Sequence, residues 1–265
     1  MNSDRGNDGR VTIVTGASSG IGRALAFRLA SSGCRVGLIA RRGELIDGAA
    51  REIVAAGGVA AAAAADVGDR AALRAAIAEL ESQLGPIDVM VANAGFGTPT
   101  HLDPLNTDDV EQTIRVNVLG VIYSIEAVLP GMIARKSGHL VAISSLGAFK
   151  GLPGESAYCA SKAAVNAYIE GLRIALRTKG VVVATVCPGF VETPMTKMNS
   201  AMPFMMSADA AAGRIARLIE KRQGGVYRFP LPMSILMSVI ARLPDAIVAR
   251  LVEVEPQPEP VSKAE

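Results

Sequence analysis

The sequence predicts an α/β protein: a single domain with a doubly wound, mostly parallel seven-stranded sheet and helices on both faces. Three observations predict it. Short β-branched apolar runs alternate with longer segments of helical periodicity. The runs lack polar alternation, as strands buried on both faces do. Glycines punctuate many of the junctions.

In order, Arg10–Thr15 (RVTIVT) reads as the first strand and Ile21–Ser31 as a helix, with Ile21, Leu25 and Leu29 at helical spacing and Gly33 as its stop. Arg35–Ala40 (RVGLIA) is the second strand, and Glu44–Ala56 a helix ending at Gly57-Gly58. Val59–Ala65 is the third strand, carried by its place in the alternation because alanine is a poor strand former. Asp69–Leu84 is helical and closed by Gly85-Pro86; Ile87–Ala92 is the fourth strand. Thr107–Arg135 reads as one long helix, with Thr107 as N-cap, Asp108 and Asp109 in its first turn, and Pro130 as a point where it kinks or ends. His139–Ser144, Val181–Cys187 and Val226–Phe229 complete the strands; Ser156–Thr178 and Ala208–Arg222 are helices. The domain therefore runs over residues 10–230, followed by an apolar helical extension at 231–252. Residues 1–9 and 253–265 are polar ends expected to be disordered.

Composition narrows the function. The 265 residues carry a formal net charge of +2 and no basic stripe, so no nucleic-acid partner is expected. Three cysteines (Cys34, Cys159, Cys187) and two histidines (His101, His139) fit neither a disulfide framework nor a zinc site, and no metal is expected. The first ten residues contain no apolar stretch of a secretory signal, so a reducing, cytoplasmic setting is expected.

The first strand runs into Thr15-Gly16-Ala17-Ser18-Ser19-Gly20-Ile21-Gly22 and then a helix. Glycines at such a junction let the backbone turn sharply and approach a pyrophosphate, which the helix N-terminus attracts. Ser18 and Ser19 add hydroxyls. Strand two ends Ala40-Arg41-Arg42, with no acid between Cys34 and Arg42. A carboxylate there would favour NAD by bonding the ribose hydroxyls, whereas an arginine pairs with a 2′-phosphate, so NADP(H) is the expected cofactor. The alternative is that Arg41 and Arg42 are ordinary surface charges.

Tyr158 and Lys162 stand four apart on a helix face. A free phenol titrates near ~10, and a neighbouring ammonium is expected to pull it down, making Tyr158 a usable acid/base. The pair Ser144-Ser145 sits at the end of strand five, where open α/β sheets bind ligands, and the Ser145 hydroxyl can hydrogen-bond and polarise a substrate oxygen.

Together these residues resemble the short-chain dehydrogenase/reductase family, in its branch of about 250 residues, with a Rossmann-type fold. The resemblance covers about Val11 to Thr193: the T-G-x-x-x-G-x-G turn, Asn93-Ala94-Gly95, Asn117, Ser145, Tyr158-x-x-x-Lys162, and Pro188-Gly189 with Thr193. It implies a carbonyl/alcohol oxidoreductase with Asn117, Ser145, Tyr158 and Lys162 catalytic. It implies that Asn93 is a structural asparagine of the cofactor site, that Ala94 and Gly95 line the adenosine side and that Asp66 and Val67 contact adenine. Gly16, Gly20, Ile21 and Gly22 would hold the pyrophosphate. Tyr158 and Lys162 would hold the nicotinamide ribose. Pro188, Gly189, Val191 and Thr193 would meet the carboxamide. Asn117 would bend its helix and hold a water beside Lys162. A homodimer or homotetramer is implied as well. The rival readings are a catalytically silent NADP(H)-binding scaffold and a nucleotide-sugar epimerase; the motif set argues against the first, and chain length and glycine spacing against the second.

Two segments stay open. Met195, Met198, Met202, Met205 and Met206 suit an adaptable lid over a hydrophobic substrate, or plain packing. Residues 231–251 are apolar but contain Arg242, Pro244, Asp245 and Arg250, which argues against a spanning helix. They pack on a partner subunit or the cleft, attach to a membrane surface, or pack within the domain.

Overall fold

The computed structural model describes residues 9–193, 202 and 204–251. The ends expected to be disordered, apart from Gly9, and most of the Met-rich lid segment (Met195 and Met198 included), lie outside the described residues.

Seven strands form the main sheet: β1 Val11–Thr15, β2 Arg35–Ala40, β3 Val59–Ala64, β4 Val89–Ala92, β5 Gly138–Ile143, β6 Val181–Pro188 and β9 Gly225–Phe229. Their spatial order is β3-β2-β1-β4-β5-β6-β9, and every pairing is parallel. Two short strands the sequence did not reveal, β7 Val191–Glu192 and β8 Met206–Ser207, pair separately. The winding reverses where β1 meets β4, so the carboxyl ends of those two strands open a crevice.

Successive strand residues feed opposite cores, because strand side chains alternate. Val14 and Leu38 join Leu25, Leu29, Ile46 and Ile215 under α1 (Gly20–Ser31), α2 (Gly43–Ala55) and α7 (Ala208–Glu220). Ile13 and Ile39 join Leu73, Ile77, Ile125 and Ile169 under α3 (Arg70–Leu84), α5 (Gly120–Ala134) and α6 (Ser156–Ala175). This is why the strands read as continuous apolar runs.

The expected helix at Thr107–Arg135 needs correction. It consists of α4 (Thr107–Ile114), a widened π turn at Arg115–Leu119, and α5. Thr107 is not the cap. Asn106 holds that position, and its side chain fixes the incoming loop instead, accepting from His101 N at 2.9 Å and donating to Pro99 O at 2.9 Å. Pro130 lies inside α5 without ending it. The whole segment is long and apolar enough to cross a bilayer, but nearly half of its most apolar stretch is buried in the protein. It is a core helix on β4, β5 and α3. Asp69 proves to be the N-cap of α3, accepting from Ala71 N and Ala72 N. The C-terminal extension is two helices, α8 (Leu231–Ile240) and α9 (Asp245–Leu251).

Candidate active site

The turn after β1 is a cradle that tolerates no side chain. Gly16 has φ +69°, and a Cβ there would lie 2.8 Å from Ala94 Cα; one on Gly22 would lie 2.4 Å from Gly16 O. Thr15 locks the two strand ends together: its Oγ1 accepts from Asn93 N at 3.0 Å and Ala94 N at 3.1 Å, while Asn93 Nδ2 donates to Thr15 O at 2.9 Å. Asn93 is thus a structural clamp. Ser19, at the N-cap of α1, makes no side-chain capping bond, and the first turn holds no acid. Its amides remain suited to an anion.

The two arginines differ. Arg42 Nη2 donates to Ser18 Oγ at 2.8 Å and Ser19 Oγ at 3.1 Å, directly over the turn. Arg41 turns toward Asp66 at 3.9 Å, and Asp66 also accepts from Gly68 N at 2.8 Å. Val67 is a core residue: a Cβ on Gly120 would strike its Cγ2 at 2.7 Å.

On the other side, Ser145 caps a short 3-10 turn at Leu146–Phe149, its Oγ accepting from Gly147 N at 3.0 Å, and it hydrogen-bonds the Tyr158 side chain. Lys162 is buried; its Nζ donates to Ile143 O at 3.0 Å and lies 5.8 Å from the Tyr158 ring centre. Burial lowers the Lys162 pKa to about 8. Here the expected electrostatics reverse. The Tyr158 phenol is pushed up, not down, because burial outweighs the opposing hydrogen bond from Ser145. The Lys162 ammonium spends itself on a main-chain carbonyl. Tyr158 is therefore held as the neutral phenol, a proton donor.

Asn117 sits in the π turn, fully buried. Its Oδ1 accepts from Phe96 N at 3.0 Å, and its Nδ2 donates to Phe96 O at 2.8 Å and Ser161 Oγ at 2.9 Å. Both amide donors are engaged by protein groups, which makes Asn117 a positioning residue for the Gly95–Phe96 segment. Gly95 completes the arrangement, since a Cβ there would meet Asn117 Oδ1 at 3.0 Å and Lys162 Nζ at 3.2 Å.

Of the predicted residues, Gly16, Ser19, Gly20, Ile21, Asn93, Ala94, Gly95, Ser145, Tyr158, Lys162, Pro188, Gly189, Val191 and Thr193 border one cleft of about 200 Å³. Ser18, Gly22, Arg41, Arg42, Asp66, Val67 and Asn117 are not on its wall. Sequence reasoning missed Ile143 and Ser144, which share the wall, and Gly97, whose Cβ would press the Tyr158 ring at 2.9 Å. The run Ile143–Ser145 at a strand's carboxyl end was the available signal. Beside the cleft, Leu146, Cys187, Met233 and Met237 form an apolar cluster with Phe149, Leu152 and Phe190. Gly189 ties it to the cleft, as a Cβ there would stand 3.2 Å from Met233 Cγ.

Residues 10–203 match the family model described as short chain dehydrogenase. An uncharacterized oxidoreductase of Myxococcus xanthus is 38% identical over 239 residues, covering 90% of this chain and 94% of that protein. A 3-ketoacyl-ACP reductase from Sinorhizobium meliloti 1021 is 33% identical with a TM-score of 0.76, covering 85% of this chain and 99% of the other. An alcohol dehydrogenase from the archaeon Thermococcus sibiricus, complexed with 5-hydroxy-NADP, is 26% identical with a TM-score of 0.75, covering 83% and 94%.

Proposed function

The chain belongs to the short-chain dehydrogenase family of oxidoreductases, which use nicotinamide cofactors, and from that premise we propose that it reduces an apolar carbonyl compound with NADPH or runs the reverse oxidation. The observation that carries this reading is the convergence of Tyr158, Ser145 and Lys162 on the wall shared with the glycine cradle. The cradle fits a dinucleotide: side chains on Gly16 or Gly22 would fill it, and the α1 amides lack a capping side chain. Arg42 over Ser18 and Ser19 supports the phosphorylated cofactor. The Thermococcus protein's complex with an NADP derivative is consistent with that choice.

The bound nicotinamide supplies or takes up hydride. Tyr158, protonated through burial, gives its proton to the substrate oxygen, and Ser145 holds that oxygen by a hydrogen bond. Lys162, buried with its pKa lowered to about 8 and its Nζ 5.8 Å from the Tyr158 ring centre, would restore the proton. Asn117 keeps Gly95 and Phe96 in position. The apolar cluster of Leu146, Phe149, Met233 and Met237 beside the cleft supports an apolar substrate body.

Screening NADPH oxidation against ketones, aldehydes, quinones and acyl thioesters tests the assignment. Tyr158→Phe is expected to lower kcat by about 10²–10⁴ while leaving NADPH binding intact. Near-normal turnover would refute the role of Tyr158. Tight NADPH binding with no turnover of any carbonyl would favour a silent cofactor-binding protein.

A further inference from the structure

α8 buries one face and leaves the other bare. Met233 and Met237 enter the apolar cluster beside the cleft. Leu231, Ile235, Leu236 and Val239 stay outside, between 40% and 67% exposed. They stand at i, i+4, i+5 and i+8, which is one side of a helix. In α9, Ile247 is exposed too. Single exposed apolar residues are ordinary, whereas this contiguous face calls for an occupant.

The neighbouring surface is cationic. Arg214 and Arg217 lie at i and i+3 on the exposed side of α7 and Lys221 caps its C-terminus; with Arg228 and Phe229 of β9 they line a groove of about 270 Å³. Among the described residues none of these four cations makes an ion pair. The guanidiniums of Arg214 and Arg228 instead lie over the rings of Phe229 and Phe149, at 5.5 and 3.8 Å. From Lys221 to Pro244 the sequence contains no Asp or Glu, though it carries Lys221, Arg222, Arg228 and Arg242. The groove ends at Phe229, two residues before Leu231 opens α8, and β9 is the sheet's edge strand, so the groove reaches the junction from which α8 starts.

We propose that this combined surface docks on an anionic phospholipid bilayer, with α8 lying in the interfacial plane. An apolar helix face bordered by unneutralised cations matches a layer whose headgroups are negative and whose interior is hydrocarbon. Ten residues of helix reach about 15 Å, half of what spanning requires. A second copy of the chain is the poorer occupant. A two-fold contact matches this surface with itself, and the segment 221–244 brings no Asp or Glu to pair with these cations. The inference rests on the surfaces of α7, β9 and α8 and not on the assignment of Tyr158, so the two readings fail separately. If both hold, the inner face of α8 brings the apolar cluster beside the cleft next to the lipid.

The test is sedimentation of the full chain with vesicles of phosphatidylglycerol and phosphatidylcholine, and with phosphatidylcholine alone. The expected result is binding to the anionic vesicles, more than about tenfold weaker to the neutral ones, since each surface cation contributes about fivefold. Two double variants, Ile235→Asp with Val239→Asp and Arg217→Glu with Lys221→Glu, sit on the outer surface and are expected to fold normally by circular dichroism. Each is expected to lose more than about tenfold in vesicle affinity. The proposal is overturned if the wild-type chain stays in the supernatant with both vesicle types, or if the variants bind as well as it does. It is also overturned if gel filtration shows a dimer that the Ile235→Asp, Val239→Asp variant splits, without any vesicle binding.

Discussion

Replacing Arg42 by alanine offers the sharpest check on cofactor choice. Its guanidinium already donates to Ser18 and Ser19 at 2.8 and 3.1 Å, so a phosphate can enter its hydrogen-bond range without rearrangement of the turn. Unit charges about 4 Å apart at an effective dielectric of about 20 attract by about 4 kcal/mol. Arg42 is exposed, and solvent screening reduces this to roughly 2 kcal/mol, or about 30-fold. The assay is kcat/KM for NADPH and NADH with one carbonyl substrate. Arg42→Ala is expected to lose about 30-fold with NADPH and to change little with NADH. Arg41→Ala should matter less, because Arg41 is drawn toward Asp66. Equal losses with both cofactors, or a wild-type preference for NADH, would refute the reasoning.

Gly22→Ala forces a methyl group to 2.4 Å from a main-chain oxygen and 2.6 Å from Asn93 Nδ2. It should cost ~1–3 kcal/mol of stability, seen as a lowered Tm, and NADPH affinity should fall with it. The Nε2–H of buried His139 donates to Gln223 O at 3.1 Å, and burial lowers the pKa from 6.5 to about 4. The unfolded chain therefore binds more protons between those values, and stability falls by about 3 kcal/mol as pH drops through that window. His139→Leu should flatten this acid limb of the Tm profile; an unchanged limb would assign it elsewhere. With Lys162 at about 8, the rate of carbonyl reduction should decline as pH rises through that value and the ammonium is lost. A profile flat well into the alkaline range would remove Lys162 from the proton path.

The strands and the glycine turn were legible because their signals are local. A buried parallel strand must be apolar throughout, and Gly16 and Gly22 stand where any side chain would strike backbone. What depended on packing was not legible. The apolar period runs unbroken through Arg115–Leu119, so periodicity did not announce the π turn; only the resemblance, through a helix-bending Asn117, pointed to an irregularity there. The direction of the Tyr158 shift depends on how deeply its hydroxyl is enclosed and on where Lys162 Nζ points, and both are settled by distant segments. Val67 gives no hint in sequence that its side chain belongs to the core under Gly120. Residues 231–251 are apolar on nearly every side, so only the fold could divide α8 into an inner and an outer face.

The irregular turn at Arg115–Leu119 has one more consequence. It accommodates one extra residue relative to an ordinary spiral, and everything downstream is set by that insertion. Tightening the turn to ordinary α geometry with all five residues kept would rotate α5 by roughly 90–100° and swing Ile125 and Val128 off the sheet. The register of a whole core helix and the placement of a single amide are thus written into the same five residues, and neither can drift without the other.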